Sequence, residues 1–204
     1  MDRLTVLVDS RGHEPQLAAL LPAALKPYGL ARTKVTVCQL PLGDVHWVVD
    51  AQPYYIERKA MNTDDFARSF GSRGRGRLGS QAHRLIEATA YGGGAFVLVE
   101  GDWVPVGDCI FSREGIQMCW PLTPNQLYGI LLRLQMEGLG VWQTRNLEHT
   151  AQVTAQLISM SVHPSSWLAP GPRRGNYAPA VVDKFFPSGE SGPVYNVDGR
   201  NSNA

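Results

Sequence analysis

Residues 41–59 read PLGDVHWVVDAQPYYIERK. Two apolar, β-branched and aromatic runs, 44–50 and 54–59, flank DAQP, the composition of a β-hairpin with a short turn. Side chains alternate along a strand, so Glu57 and Lys59 share one face, with Tyr54, Ile56 and Arg58 on the other. The hairpin brings Asp44 beside Glu57. Two carboxylates and a lysine then converge, the set that metal-dependent phosphodiester cleavage requires. The carboxylates can hold a hard cation such as Mg²⁺, which keeps several of its waters. The metal polarises the phosphate and lowers the pKa of a bound water, while a lysine orients that water and meets developing negative charge. By spacing alone, the same charges fit a solvated hairpin equally well.

Upstream, residues 4–8 (LTVLV) read as a buried strand ending at Asp9. Pro15 stands near the start of a helix with apolar positions Leu17, Leu20, Leu21, Ala24 and Leu25, stopped by Gly29. Another strand is expected at 33–40. Downstream come a short helix over 64–70 capped by Thr63, a Gly/Arg loop over 71–79 (GSRGRGRLG), a helix over 80–91 and a buried strand at 95–100. Residues 101–121 read as either a hairpin or a loop. Thr123 caps a helix whose stripe Leu127, Ile130, Leu131, Leu134 marks one face, ended by Gly138. A strand at 140–144 and a helix at 147–160 follow. In 163–204, 20 of 42 residues are Pro, Gly, Ser or Asn, so this tail is expected to be extended or partly disordered.

The ordered set VLVDSR, LPLGD, IERK, GRLGSQAHRL and AFVLVEG resembles the nuclease domain of the XPF-type structure-specific endonucleases, with their GD…ERK signature. The resemblance runs from about residue 4 to residue 160, placing the nuclease domain in 1–162. It implies an α/β, restriction-endonuclease-like fold: a mixed central sheet flanked by helices, with a PD-(D/E)xK site at one sheet edge. Asp44, Glu57 and Lys59 are its implied catalytic core, with Arg58 completing the triplet through a backbone carbonyl that can ligate metal. Asp9 and Arg11 match an Asp-x-Arg element, and Arg77 and Gln81 match GRL-x-x-Q. Asp44, Glu57, Asp9 and Asp64 are the implied metal ligands for Mg²⁺ or Mn²⁺. The implied substrate is branched DNA (flap, fork or junction) in repair, recombination or replication. The implied assembly is a homodimer or heterodimer through the last two helices of the domain.

Three departures matter. The family aspartate after ERK is replaced by Thr63; either Asp64 substitutes, or Asp64 and Asp65 are acids favoured at a helix start. The glutamate that should follow Arg11 is delayed by Gly12-His13 to Glu14, which reads first as a helix-start residue and second as a group reaching the site. The tail is too short and too rich in Pro and Gly for a tandem helix-hairpin-helix module, and GLG at 138–140 reads as a helix stop.

Composition fits this picture. The 204 residues carry 19 Lys+Arg and 18 Asp+Glu, a net charge of +1, which excludes a uniformly basic binder. The charge is uneven: residues 58–84 hold seven basic and two acidic residues, a net +5, leaving −4 elsewhere. Arg68, Arg73, Arg75, Arg77 and Arg84, with Gln81 from the GRL-x-x-Q match, are therefore assigned to DNA contact, with phosphates as the main targets, the alternative being a solvated basic loop without a partner. A hydrophobic fraction of 44% excludes wholesale disorder. No apolar run is long enough for a membrane helix. Cys38, Cys109 and Cys119 form no CxxC pair, which points to a reducing compartment. The cytoplasm of a bacterial, archaeal or phage-infected cell is expected, or the nucleus of a eukaryotic one. Trp47, Tyr54 and Tyr55 read as packing residues before base-stacking ones. His46 and His83 read as surface or hydrogen-bonding groups, and Asp108, Glu100 and Glu114 as surface acids. Two other functions share these features: a non-catalytic DNA-binding or dimerisation subunit, and a sequence-specific restriction-type nuclease.

Overall fold

A computed structural model describes residues 4–12, 14–61, 69, 77–112 and 123–163. Its centre is a six-stranded mixed sheet in the order β2-β1-β3-β4-β5-β8. The strands are β1 (Thr5–Asp9), β2 (Lys34–Cys38), β3 (Val45–Val49), β4 (Gln52–Ala60), β5 (Gly94–Glu100) and β8 (Gly140–Thr144). Strand β3 is antiparallel to β1 and to β4; the β1–β2, β4–β5 and β5–β8 pairs are parallel. Strands β6 (Trp103–Val106) and β7 (Cys109–Ser112) form a separate hairpin, so the hairpin alternative for this stretch holds.

The β3–β4 hairpin turns at Asp50-Ala51, between paired Val49 and Gln52. Both turn residues have positive φ, 49° and 62°, the backbone sign of a type I′ turn. This turn sets the register that Asp44 and Glu57 depend on.

Helices α1 (Glu14–Leu25) and α4 (Leu147–Val162) cover one sheet face. Leu17, Leu21, Leu25, Ala155 and Ile158 pack there on Val6, Val8, Val45, Trp47, Ile56 and Leu98. Trp47 is fully buried and its Nε1 donates to Ser161 Oγ at 2.8 Å, so the packing role expected of it is met. Helices α2 (Arg77–Ala88) and α3 (Pro124–Met136) belong to the second core, with Val97, Val99, Ala95 and Ile110. Helix α2 starts three residues earlier than the sequence suggests. Its Leu78, Ala82 and Leu85 are buried at i, i+4 and i+7, and this stripe draws Arg77-Leu78-Gly79 out of the expected loop. Helix α3 begins with a capping box: Thr123 Oγ1 accepts from Gln126 N, and Gln126 Oε1 accepts from Thr123 N. No helix among the described residues is long and apolar enough to cross a membrane. The expected helix at 64–70 and the tail lie outside the described residues, apart from Ser69.

Candidate active site

The carboxylates gather where β1, β3 and β4 run side by side. Gly43, at φ 70°, turns the chain into Asp44; a Cβ there would lie 3.1 Å from the Ile56 carbonyl. The Asp44 N–H donates to Ile56 O at 2.7 Å, and the Asp9 N–H donates to Asp44 O at 2.8 Å. Asp44 therefore sits between Asp9 and the Glu57 strand, as the hairpin reading requires. Its Oδ2 accepts from the Arg58 backbone N–H at 2.6 Å.

Glu57 and Lys59 share the face opposite Arg58, as strand alternation dictates. Lys59 Nζ donates to Glu57 Oε1 at 2.6 Å, with both side chains almost fully buried. The same oxygen accepts from Gln81 Nε2 at 2.7 Å. Gln81, read from the sequence as a DNA contact, thus holds the Glu57 carboxylate from helix α2. Its Oε1 is buried and has no hydrogen-bond partner among the described residues, leaving a bare acceptor beside Glu57.

Asp9 is buried, which raises its pKa. The hydrogen bond from the Arg11 side chain and those from the Leu40 and Arg11 backbone N–H groups outweigh this and leave it below the usual value. Arg11 Nε donates to Asp9 Oδ2 at 2.7 Å and Nη2 donates to Leu40 O at 2.6 Å. The Arg11 pKa rises through its hydrogen bond and charge pairing with Asp9, and further in the field of Asp44 and Glu57. Asp44 shows the opposite balance. Burial, then the negative charges of Glu57 and Glu14, hold its pKa well above its ordinary value, against the Arg58 N–H and Lys59.

Behind this face lies a buried ion network. Arg58 Nε and Nη2 donate to Glu100 at 2.8 and 2.5 Å, and Nη1 donates to Glu14 Oε1 at 3.1 Å. Thr150 Oγ1 donates to Glu100 Oε2 at 2.7 Å and accepts from Thr144 Oγ1 at 2.6 Å. Arg58 belongs to the ERK triplet in sequence; its side chain points away from Glu57, as strand alternation predicts, and its backbone N–H donates to Asp44. One expectation changes here. Glu100, read as a surface acid, is buried because parallel pairing of β4 with β5 sets it just beyond the Arg58–Leu98 pair. Glu14 opens helix α1 and also reaches inward. Gly12, at φ 67°, folds so tightly that a Cβ would lie 2.7 Å from Glu14 Oε2, so the lengthened loop delivers the delayed glutamate to Arg58.

Of the basic residues assigned to DNA, Arg77 and Arg84 stand on the exposed face of α2, seven residues apart. Arg68, Arg73, Arg75 and Asp64 lie outside the described residues. His83 is exposed, 3.3 Å from Glu87. Among the described residues, no three Asp, Glu, His or Cys side chains form a ready-made metal cluster. Asp44 and Glu57 alone still suit a hard cation. They are oxygen donors, one half-buried and one buried, and Asp44 feels the negative charges of Glu57 and Glu14; Mg²⁺ needs only one or two carboxylates beside water and phosphate oxygens. The bare Gln81 Oε1 is an acceptor fitted to a coordinated water.

A sequence profile described as the ERCC4 domain matches residues 8–157. No curated protein sequence matches the chain. Among solved structures, it is similar to XPF from Aeropyrum pernix, at 30% identity and a TM-score of 0.52. That match covers 77% of this chain and 61% of the other, so the chain spans about three fifths of that relative's length. A structure of XPF from Aeropyrum pernix in complex with DNA matches at 28% identity and a TM-score of 0.51, covering 90% of this chain and 82% of that one.

Proposed function

The chain belongs to the ERCC4-domain family of XPF-type nucleases, and from that premise we propose that it is a metal-dependent, structure-selective DNA endonuclease that cuts flaps, forks or junctions in repair, recombination or replication. The observation that carries this reading is the convergence of half-buried Asp44 with buried Glu57 and Lys59, steadied by Gln81. Asp44 and Glu57 would hold Mg²⁺ or Mn²⁺. When bound, such a cation supplies Lewis-acid polarisation of the scissile phosphate and a more acidic water.

The chain's own groups do the rest. In hydrolysis a water oxygen bonds to phosphorus, one P–O ester bond breaks, and the departing oxygen takes up a proton. Lys59, held by Glu57 through a 2.6 Å bond, donates toward the attacking water and the developing charge. The Arg58 N–H keeps one Asp44 oxygen oriented and leaves the other available. Arg11, with its side chain 60% exposed, and the exposed Arg77 and Arg84 are suited to contacts with phosphates on either side. Dimerisation is part of the proposal. Tyr128, Leu132 and Met136 form an i, i+4, i+8 stripe on the outer side of α3, with 46%, 59% and 83% of their surface exposed, and Trp142 on edge strand β8 is 57% exposed.

The test is cleavage of labelled fork, flap, bubble, Holliday-junction and linear DNA with Mg²⁺ or Mn²⁺. Cutting of branched substrates, lost in Glu57→Gln and Lys59→Met, is expected. No cleavage of any substrate, or cleavage unchanged by both substitutions, overturns it. A second reading, a non-catalytic DNA-binding subunit, is favoured by the engagement of Asp9 with Arg11. Salt-sensitive fork binding without metal-dependent cutting would select it.

A further inference from the structure

One row of the sheet next to the carboxylates remains unused. Leu7 pairs with His46, and His46 with Tyr55, across β1, β3 and β4. These residues lie on the Glu57–Lys59 face, because they alternate with Val8, Val45 and Ile56 of the first core. The row is two residues along β1 from Asp9 and two along β4 from Glu57, about 7 Å at the strand rise, a distance comparable to one step of an extended nucleotide chain. The imidazole and phenol rings are stacked, with centroids 4.5 Å apart and planes within 18°. Tyr55 packs against the second core. His46 Nδ1–H donates to Tyr54 O at 3.1 Å, which fixes the ring plane.

The groove beside His46 is open and large, about 1440 Å³. Leu7, Val48, Thr5, Arg32 and Asp50 line it together with His46. The His46 ring, stacked on Tyr55, thus borders a groove whose lining holds apolar side chains and a cation beside an anion. That combination suits a flat, uncharged ring joined to a phosphate.

We propose that the His46–Tyr55 pair is a stacking platform for an unpaired nucleobase of the substrate, located about one nucleotide from the phosphate held by Asp44 and Glu57. The base lies over Leu7 and extends the stack to three rings. The platform thereby selects substrates with a single-stranded arm beside the cut. Duplex DNA lacks a free base to offer, so it gains nothing here. This inference rests on the endonuclease reading, whose site supplies the adjoining phosphate.

The test uses the full chain carrying Glu57→Gln, so that DNA is bound and left uncut. Forks carry 2-aminopurine at successive positions of one single-stranded arm, and fluorescence reports its stacking. One position near the junction should change on binding. His46→Ala should abolish that change and weaken fork binding by about tenfold, within the range of base–aromatic stacking, with duplex binding unaltered. His46→Phe should retain the signal. Leu7→Trp should lose it by filling the groove, and thermal unfolding of each variant verifies that it folds. DNA binding without a position-dependent signal, or a signal that survives both His46→Ala and Leu7→Trp, overturns the platform and leaves the endonuclease reading standing. A chain that binds neither forks nor duplex overturns both.

Discussion

Replacing Arg58 tests whether it positions the site from behind. Its side chain is 6% exposed, and those of Glu14 and Glu100 are 11% and 9% exposed. Arg58→Met keeps the bulk but leaves two buried carboxylates without their common cation. Removing one partner of a buried pair costs about 3–5 kcal/mol. Glu100 carries most of this, since it holds the forked pair at 2.8 and 2.5 Å. Glu14 loses a longer bond of 3.1 Å and keeps the favourable end of helix α1, worth about 0.3–1 kcal/mol. We expect a loss of about 4 kcal/mol, which lowers the melting temperature by about 8–16 °C in a body of this size. Urea unfolding followed by tryptophan fluorescence measures it, with an unchanged m-value as the control. Adding Glu100→Gln to Arg58→Met removes the orphaned charge, so the double variant should be more stable than the sum of the single effects by about 1–3 kcal/mol. A single-variant loss under about 1 kcal/mol, or strict additivity, would refute this account of Arg58. In cleavage assays below the transition, kcat should fall with fork affinity retained, because the strand segment whose backbone N–H orients Asp44 loses its side-chain brace to Glu100 and Glu14.

The Asp44 pKa is raised in the metal-free fold, so its contribution to stability is present below the unfolded value near 3.8 and is lost as pH rises through the folded value. Asp44→Asn should therefore melt at a higher temperature than the parent at pH 8 in EDTA, with the gap closing in acid, and should cut nothing; a variant less stable across the whole pH range contradicts this. Ala51 adopts φ 62°, a region costing about 1–2 kcal/mol for an L-residue, against about 0.5–1 kcal/mol of added chain freedom in glycine. Ala51→Gly should thus raise unfolding free energy by about 0.5–1 kcal/mol, and a loss in denaturant titration would speak against a strained turn. Leu132→Lys should convert a dimer to a monomer in light scattering if the outer stripe of α3 is its interface; a monomeric parent at micromolar concentration removes that role.

Local rules reached much of the site. Strand period two placed Glu57 with Lys59 and set Arg58 apart, and the turn at 50–51 set Asp44 against β4. What local rules missed depends on pairing between distant segments. Glu100 meets Arg58 only through the parallel β4–β5 register, which no short-range pattern specifies. Glu14 reaches the same guanidinium because of a two-residue extension whose geometry hangs on Gly12. Gln81 was visible as a motif position, but its partner is decided by how helix α2 packs its Leu78, Ala82 and Leu85 stripe. Alternation parts the two tyrosines at 54–55, Tyr54 to Trp47 and Tyr55 to His46, but what covers each of them depends on how the helices pack.

The β3–β4 hairpin also has a kinetic side. Asp44 and Glu57 are brought together by a local turn, and hairpins close in about 1–10 μs. The Arg58 network spans 42 and 44 residues to Glu100 and Glu14 and must await the parallel crossovers. During folding, the two acids meet before the buried cation that braces their strand is locked in place. Substitutions on the hairpin should then change the folding rate, and substitutions in the network chiefly the unfolding rate. A nascent chain can carry a correctly paired but unbraced site until α4 arrives.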